Sequence, residues 1–242
     1  MNQDRNTREL LKSGAEELGV PLTDHQLDQF ERFTALLLEW NEKFNITRIS
    51  DPEEIVIRHY LDSLSILSAV KIPGGASLID VGTGGGIPGI PLKIAIPELR
   101  LTLLDSVRKK LTFAEVVAAD LALKDVRFVH ARAEDAGRDK ALRGRFDFCV
   151  SRAVARLNVL AELCLPFCRI GGKWVAYKGP EADEEIAEAQ KAIKMLGGEM
   201  IKVRKLILPS SDQSRTLIVV KKIHPTFHTF PRKAGTPQAT PL

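Results

Sequence analysis

One stretch limits the fold of this chain more than any other: Leu78-Ile79-Asp80-Val81-Gly82-Thr83-Gly84-Gly85-Gly86-Ile87-Pro88-Gly89. An apolar run ends in an acid, and the glycines behind it let the backbone turn sharply and approach a ligand closely. Pro88 suits the first turn of the helix that follows. A strand, a glycine turn and a helix in that order predict an open parallel sheet with its ligand site at the carboxyl ends of the strands.

The segments downstream keep the same rhythm. Short apolar runs at 77–82, 101–105, 126–131, 146–151 and 173–179 alternate with segments of helical length and period, including 107–121 and 181–196. Such alternation predicts an α/β fold, a mostly parallel sheet with helices on both faces. The runs 200–209 and 215–222 are joined by the polar turn Ser210-Ser211-Asp212, which predicts an antiparallel hairpin at the sheet edge.

Upstream, residues 1–70 read as helical. Thr23 and Gln26 form a capping box ahead of a helix whose Leu27, Phe30, Phe33, Leu37, Trp40 and Phe44 recur on one face. Asp51-Pro52-Glu53-Glu54 marks a second helix start. Lys71-Ile72-Pro73-Gly74-Gly75 then breaks the pattern. The expected organisation is an N-terminal helical region over 1–72, an α/β domain over 73–222 and a tail over 223–242.

Composition excludes several classes. No apolar run approaches the roughly 18 residues of a membrane helix, and Met1-Asn2-Gln3-Asp4-Arg5 opens a polar segment unlike a signal peptide. A soluble cytoplasmic protein is expected. Cys149, Cys164 and Cys168 match no zinc spacing, so no metal is expected. Cys164 and Cys168 are spaced as two buried thiols on one helix face would be.

Two ligands compete for the glycine loop. Gly84-x-Gly86-x-x-Gly89 fits the dinucleotide fingerprint, which brings a pyrophosphate to a helix N-terminus. Asp80-x-Gly82-x-Gly84-x-Gly86 instead resembles the first motif of class I S-adenosylmethionine-dependent methyltransferases. A carboxylate sits poorly against pyrophosphate and well against an amino-acid ammonium, which favours the second reading. Asp105 ends the next strand, where an acid accepts from ribose hydroxyls or caps the helix starting near Val107. Ala133-Glu134 follows the third strand, either beside an adenine or as an exposed helix start.

Taken together, LTDHQ (22–26), EWNEKFNIT (39–47), RHYLDSL (58–64), DVGTGGGIPGIPL (80–92), LLDS (103–106), SRAVARL (151–157) and AYKG (176–179) resemble the RsmG (GidB) family, the 16S ribosomal RNA guanine-N7 methyltransferases. The RHxLDS and SRA segments are more diagnostic than the glycine loop, which a whole superfamily shares. The resemblance implies S-adenosyl-L-methionine as cofactor, with contacts at Gly82, Ile87, Asp105, Ser106, Val107, Ala133, Glu134 and Arg152. Ile87, Val107 and Arg152 rest on it alone. It further implies a class I methyltransferase (Rossmann-like) fold and methylation of guanine 527. The partner is then 16S rRNA or an assembling small ribosomal subunit, met by a monomer away from any membrane.

Residue types argue against neighbouring chemistries. Exocyclic-amine methylation commonly uses an Asn/Asp-Pro-Pro-aromatic tetrad after the fourth strand, where this chain has Ser151-Arg152-Ala153-Val154. Pyrimidine C5 methylation needs a nucleophilic cysteine in an exposed loop, and Cys149 lies inside a strand run. Guanine N7 needs neither device, because its lone pair is available and no proton leaves it. Catalysis is then alignment and exclusion of water, and no general base is assigned.

His59, Asp62 and Lys178 are the candidates for holding the guanine, beside Asn45, Ser63 and Arg152. Asp62 would accept from the N1–H and N2–H edge, and His59 or Lys178 would donate to O6. Equally, His59 reads as a buried histidine and Asp62 as a helix-surface acid. Trp40, Phe44 and Tyr60 are candidate stacking platforms, though Trp40 and Phe44 share the apolar stripe.

The net charge of +4 sits at one end. No acid follows Asp212, and Lys221, Lys222, Arg232 and Lys233 are the last four of the 35 basic residues, leaving 31 of each sign in the first 220. With Phe227 and Phe230 among those charges, the tail is expected to grip RNA phosphates and stack on bases, unless it is a frayed terminus. A nicotinamide-dependent oxidoreductase and a non-catalytic RNA-binding protein remain the alternatives.

Overall fold

The computed structural model describes residues 2–152 and 155–242, with side chains from Asn6 onward; Ala153 and Val154 of the position after the fourth strand lie outside the described residues. The N-terminal region begins with α1 (Asn2–Glu17) and α2 (Asp24–Phe44). Thr23 caps α2 through the expected box: its hydroxyl accepts from the Gln26 N–H, and the Gln26 side chain accepts from the Thr23 N–H at 2.9 Å. Leu27, Phe30, Phe33 and Leu37 are buried along one face of α2. Trp40 is half-buried against Phe113, whereas Phe44 is exposed with the Lys109 ammonium 4.0 Å over its ring. The apolar stripe thus outruns the core it packs on, and the last turn of α2 overhangs into solvent.

Asp51 caps α3 (Pro52–Ile55), which runs on through a π-helical turn (Val56–Leu61), α4 (Asp62–Leu64) and a 3-10 turn (Ser65–Ser68). The wider π turn alters which side chains share a face, and His59, Tyr60, Asp62 and Ser63 are all buried. Tyr60 is fully enclosed with its hydroxyl 2.8 Å from Thr34 Oγ1, so it offers no platform for a base.

The sheet contains β1 (Ser77–Val81), β2 (Arg100–Asp105), β3 (Val126–His130), β4 (Phe146–Arg152), β5 (Cys168–Lys178), β6 (Gly198–Ile207) and β7 (Ser214–Lys222), in the order β3-β2-β1-β4-β5-β7-β6. The first five strands are parallel, as the alternation predicts. The hairpin is present, but β7 pairs antiparallel with β5 and leaves β6 on the edge. Successive side chains on a strand point to opposite faces, and each face has its own apolar cluster. Leu78, Phe148, Val150, Val175 and Val219 meet the N-terminal helices together with α5 (Gly89–Ala95) and α6 (Arg108–Asp120). Ile79, Val81, Cys149, Trp174 and Val220 meet α8 (Leu157–Cys164) and α9 (Asp183–Met195) on the other. Residues 1–72 therefore supply one layer of helices on a shared core.

Two expectations change. Cys164 ends α8 and Cys168 opens β5, so they do not share a helix face; a tight turn at 165–167 returns the chain and buries both beside Cys149. Burial pushes the Cys149 thiol up, which makes it an inert core group. Among the described residues no cluster of His, Cys, Asp and Glu suits a metal ion, and no helix is long and apolar enough to cross a membrane.

The second concerns how the tail is held. It folds back across α7 (Ala133–Ala136) and α8 and ends in α10 (Thr236–Ala239), burying Pro231 and Pro237. Arg232 meets the buried Glu162 carboxylate with Nη2 at 2.6 Å and its own N–H at 2.6 Å. Lys222 is also buried, its ammonium donating to Leu196 O at 2.6 Å, and burial pulls its pKa down to about 8. Of the four terminal cations, Lys221 and Lys233 are left exposed. A frayed basic end is excluded, because its charge is half consumed inside the fold.

Candidate active site

The strand order reverses between β1 and β4, and such a switch point opens a crevice at the carboxyl edge of a sheet. The glycine loop fills that position. Gly82, Gly84 and Gly86 have φ of 72°, 57° and 85°, the left-handed region where a side chain is strained. Asp80 ties the loop from below. Its Oδ2 accepts from Thr83 Oγ1 at 2.6 Å and from the Gly89 N–H at 2.9 Å, at the start of α5. Its Oδ1 is buried without a partner, which among the described residues is otherwise true only of Thr216 Oγ1.

Beside the loop lies a cleft of about 280 Å³ lined by Gly82, Asp105, Ser106, Ala133 and Glu134, with Val81, Leu104 and Leu163 as its apolar walls. Five expected cofactor residues thus come together. Asp105 takes the capping role and ties the loop as well: Oδ2 accepts from the Gly84 N–H at 2.7 Å and Oδ1 from the Val107 N–H at 2.8 Å, so it holds loop and helix start together at the cleft wall. Ile87 is buried in the core, and Val107 is exposed as the N-cap of α6. Neither side chain lines this cleft. The two carboxylates and apolar walls of the cleft suit ribose hydroxyls and an adenine, and beneath the loop the unpartnered Asp80 oxygen suits an ammonium.

Arg152 belongs to a second cleft of about 450 Å³, which it lines with His59, Asp62, Tyr177, Lys178 and Arg215. Asp62 is 2% exposed and both its oxygens are occupied: Arg152 Nη1 donates to Oδ2 at 2.9 Å and Arg215 Nε to Oδ1 at 2.9 Å. It is a buried anchor for two guanidiniums, neither a helix-surface acid nor an open acceptor for a guanine edge. His59 is also occupied, with Nε2 2.9 Å from Thr47 Oγ1 and Nδ1 3.3 Å from Arg152 Nη2. Lys178 donates to Ala155 O at 2.6 Å and pairs with Glu185 at 2.7 Å. Asn45 closes α2 and stands apart from both clefts.

Arg215 is the residue that sequence reading missed. Lys178 pairs with Thr216 across β5 and β7, so antiparallel β7 starts where parallel β5 ends. That brings Arg215 to the carboxyl edge. The hairpin at 200–222 was the available signal, since a strand entering in reverse presents its first residues there.

The two clefts are neighbours. Asp80 faces Val150 in the register, so Arg152 lies two residues further along β4, level with the glycine loop. Burial pushes the Asp80 carboxyl up to about 6, against the Thr83 and Gly89 hydrogen bonds and the Arg152 charge. For His59, burial and then the Arg152 charge pull the imidazole down to about 3. The folded ring is neutral where the unfolded chain takes a proton below 6.5, so its share of stability is whole above 6.5 and drains as pH falls toward 3. Asp80 acts oppositely: its share is whole below 3.8 and is lost as pH rises through about 6. An NMR titration should show no His59 midpoint between about pH 5 and 8; a midpoint near 6.5 would mean an open, unpaired ring.

A glycine loop behind β1, acids behind β2 and β3, and a reversed last strand define a class I methyltransferase fold. Solved structures agree on that architecture. A SAM-dependent methyltransferase from Aquifex aeolicus superposes with a TM-score of 0.53 at 16% identity, covering 73% of this chain and 97% of that one. TrmN from Thermus thermophilus gives 0.53 at 15% identity over 69% of this chain and 53% of its own. Sequence comparison narrows the class. The family model for GidB, rRNA small subunit methyltransferase G, matches residues 26–216, and the chain belongs to that family. It is 48% identical over 235 residues to the ribosomal RNA small subunit methyltransferase G of Alkaliphilus oremlandii (strain OhILAs), covering 97% of this chain and 98% of that one. The namesake protein of Lactobacillus johnsonii is 46% identical over the full length of both.

Proposed function

We propose that the chain transfers a methyl group from S-adenosyl-L-methionine to N7 of guanine 527 in 16S rRNA, free or in an assembling small subunit. The observation that carries the reading is the adjacency of an acid-lined nucleotide cleft and a guanidinium-lined cleft at one switch point, with Arg152 of the second level with the glycine loop. The cofactor supplies an electrophilic methyl on a sulfonium sulfur. Gly82 and Gly84 let the backbone close on it, Asp80 Oδ1 is the acceptor for its ammonium, and Asp105 and Glu134 are acceptors for ribose hydroxyls and the adenine amine.

Arg152 and Arg215, held rigid by Asp62, are placed to donate to guanine O6 and to RNA phosphate while leaving the N7 lone pair bare. His59 is a positioning residue, because it braces Arg152. Asp62 also halves the charge of the arginine pair, which matters because methylation at N7 leaves the purine cationic. Since no proton leaves N7, alignment and exclusion of water suffice without a base.

Calorimetric titration with S-adenosylhomocysteine and with NAD tests the cofactor directly. Saturable binding of the first and none of the second is expected. Tight NAD binding with no response to S-adenosylhomocysteine would return the loop to its dinucleotide reading.

A further inference from the structure

We propose that the folded tail is part of the cofactor site: the Gly235 N–H positions the Glu134 carboxylate that lines the nucleotide cleft. The inference rests on the cofactor reading above and goes beyond it, since the family match ends at residue 216 and the tail lies outside it. The relatives nevertheless align over nearly their full length with this chain, tail included.

Glu134 sits in the first turn of α7, 9% exposed, at the wall of the cleft. Its Oε1 accepts from the Gly235 N–H at 2.8 Å. Among the described residues no other hydrogen bond reaches this carboxylate, so the tail alone sets its direction and Oε2 is left for a ligand. A free glutamate has three torsions to order on binding, and one fixed oxygen removes much of that cost. Gly235 is itself in the left-handed region, φ 85°, immediately before α10.

The tail reaches that place because the body is shaped to receive it. Arg143 donates to the carbonyls of Thr226 at 2.7 Å and Phe230 at 2.7 Å, and Arg138 donates to Pro231 O at 2.9 Å. Gly137 closes α7 with Pro231 against it, and a Cβ there would meet Pro231 Cγ at 2.9 Å. Arg232 then locks onto Glu162. Four body residues thus carry the chain to the one N–H that touches the cleft, an arrangement that a loosely packed terminus has no need of. Shortening this end should therefore weaken cofactor binding.

The test uses the full chain, a chain ending at Lys233 that keeps the Arg232–Glu162 pair, the variant Glu134→Ala, and both changes together. Calorimetry reads the affinity for S-adenosylhomocysteine, and kinetics read KM for S-adenosylmethionine against kcat. The shortened chain should bind about five- to tenfold more weakly, with KM raised and kcat unchanged, a size typical of coupling between sites. In the Glu134→Ala background the same truncation should change affinity by less than about twofold, because the two act through one contact. Should the shortened chain not melt cooperatively, Glu134→Asp in the full chain, which keeps the carboxylate but draws it back from the Gly235 N–H by one methylene, reads the same weakening. Unchanged affinity, or equal losses in both backgrounds, overturns the proposal. A full chain that binds no S-adenosylhomocysteine at all instead overturns the cofactor reading on which it rests.

Discussion

Asp62→Ala is expected to lower turnover by about 10²-fold while S-adenosylhomocysteine affinity stays nearly unchanged, because catalysis here is alignment and misplacement by an ångström costs that much. Among the described residues the carboxylate is the one group that fixes Arg152 and Arg215 relative to each other, through bonds of 2.9 Å to each. Without it the guanidiniums repel, and the donors facing the guanine lose their geometry. The stability loss should be smaller than for a fully buried pair, about 2–3 kcal/mol, since the arginine side chains keep 16% and 20% exposure and water screens them. Single-turnover methylation, calorimetry and thermal melting on one preparation separate these effects. Full turnover would clear Asp62 and the arginine pair of any part in holding the base.

Arg232→Ala should have the largest effect on stability. Glu162 lies in an apolar helix with 1% of its side chain exposed, and Arg232 is its ion-pair partner. Removing the arginine leaves a buried carboxylate without compensation, which costs about 3–5 kcal/mol. For a chain of this size that lowers Tm by roughly 6–20 °C. Replacing both residues by leucine should recover at least half of the loss, since no buried charge remains. Recovery is incomplete because the Arg232 N–H also donates to Glu162. A single variant that melts within about 2 °C of the parent would mean that the tail lifts away and lets water reach Glu162.

What could be read from the sequence was whatever local pattern determines. The strand at 77–81, its glycine turn and Asp105 lie close along the chain, and φ preference and burial alternation specify them without tertiary help. Gly82, Asp105, Ser106, Ala133 and Glu134, each expected just past a strand end, do line one cleft. The second cleft was legible only as residue types. Asp62, Arg152 and Arg215 meet through sheet order alone, and the π turn that buries His59 and Asp62 has no periodic signature. Roles assigned to open side chains accordingly shifted to anchored ones. The pairing of Arg232 was hidden for a related reason: charge counting sees it as free, while its partner is the lone acid of the apolar stretch Leu157–Cys164. That isolated acid was the signal that the charge had a mate.

The central claim is methyl transfer to one guanine N7 of the small-subunit RNA, and mapping that modification tests it most directly. Ribosomal RNA from cells with and without this gene, and from cells carrying Asp62→Ala, should be cleaved at N7-methylguanine and read nucleotide by nucleotide. The account predicts one 16S site modified only with the intact gene, and lost or sharply reduced with Asp62→Ala. An N7-methylguanine pattern that is identical in all three, with modification persisting when the gene is absent, would contradict it.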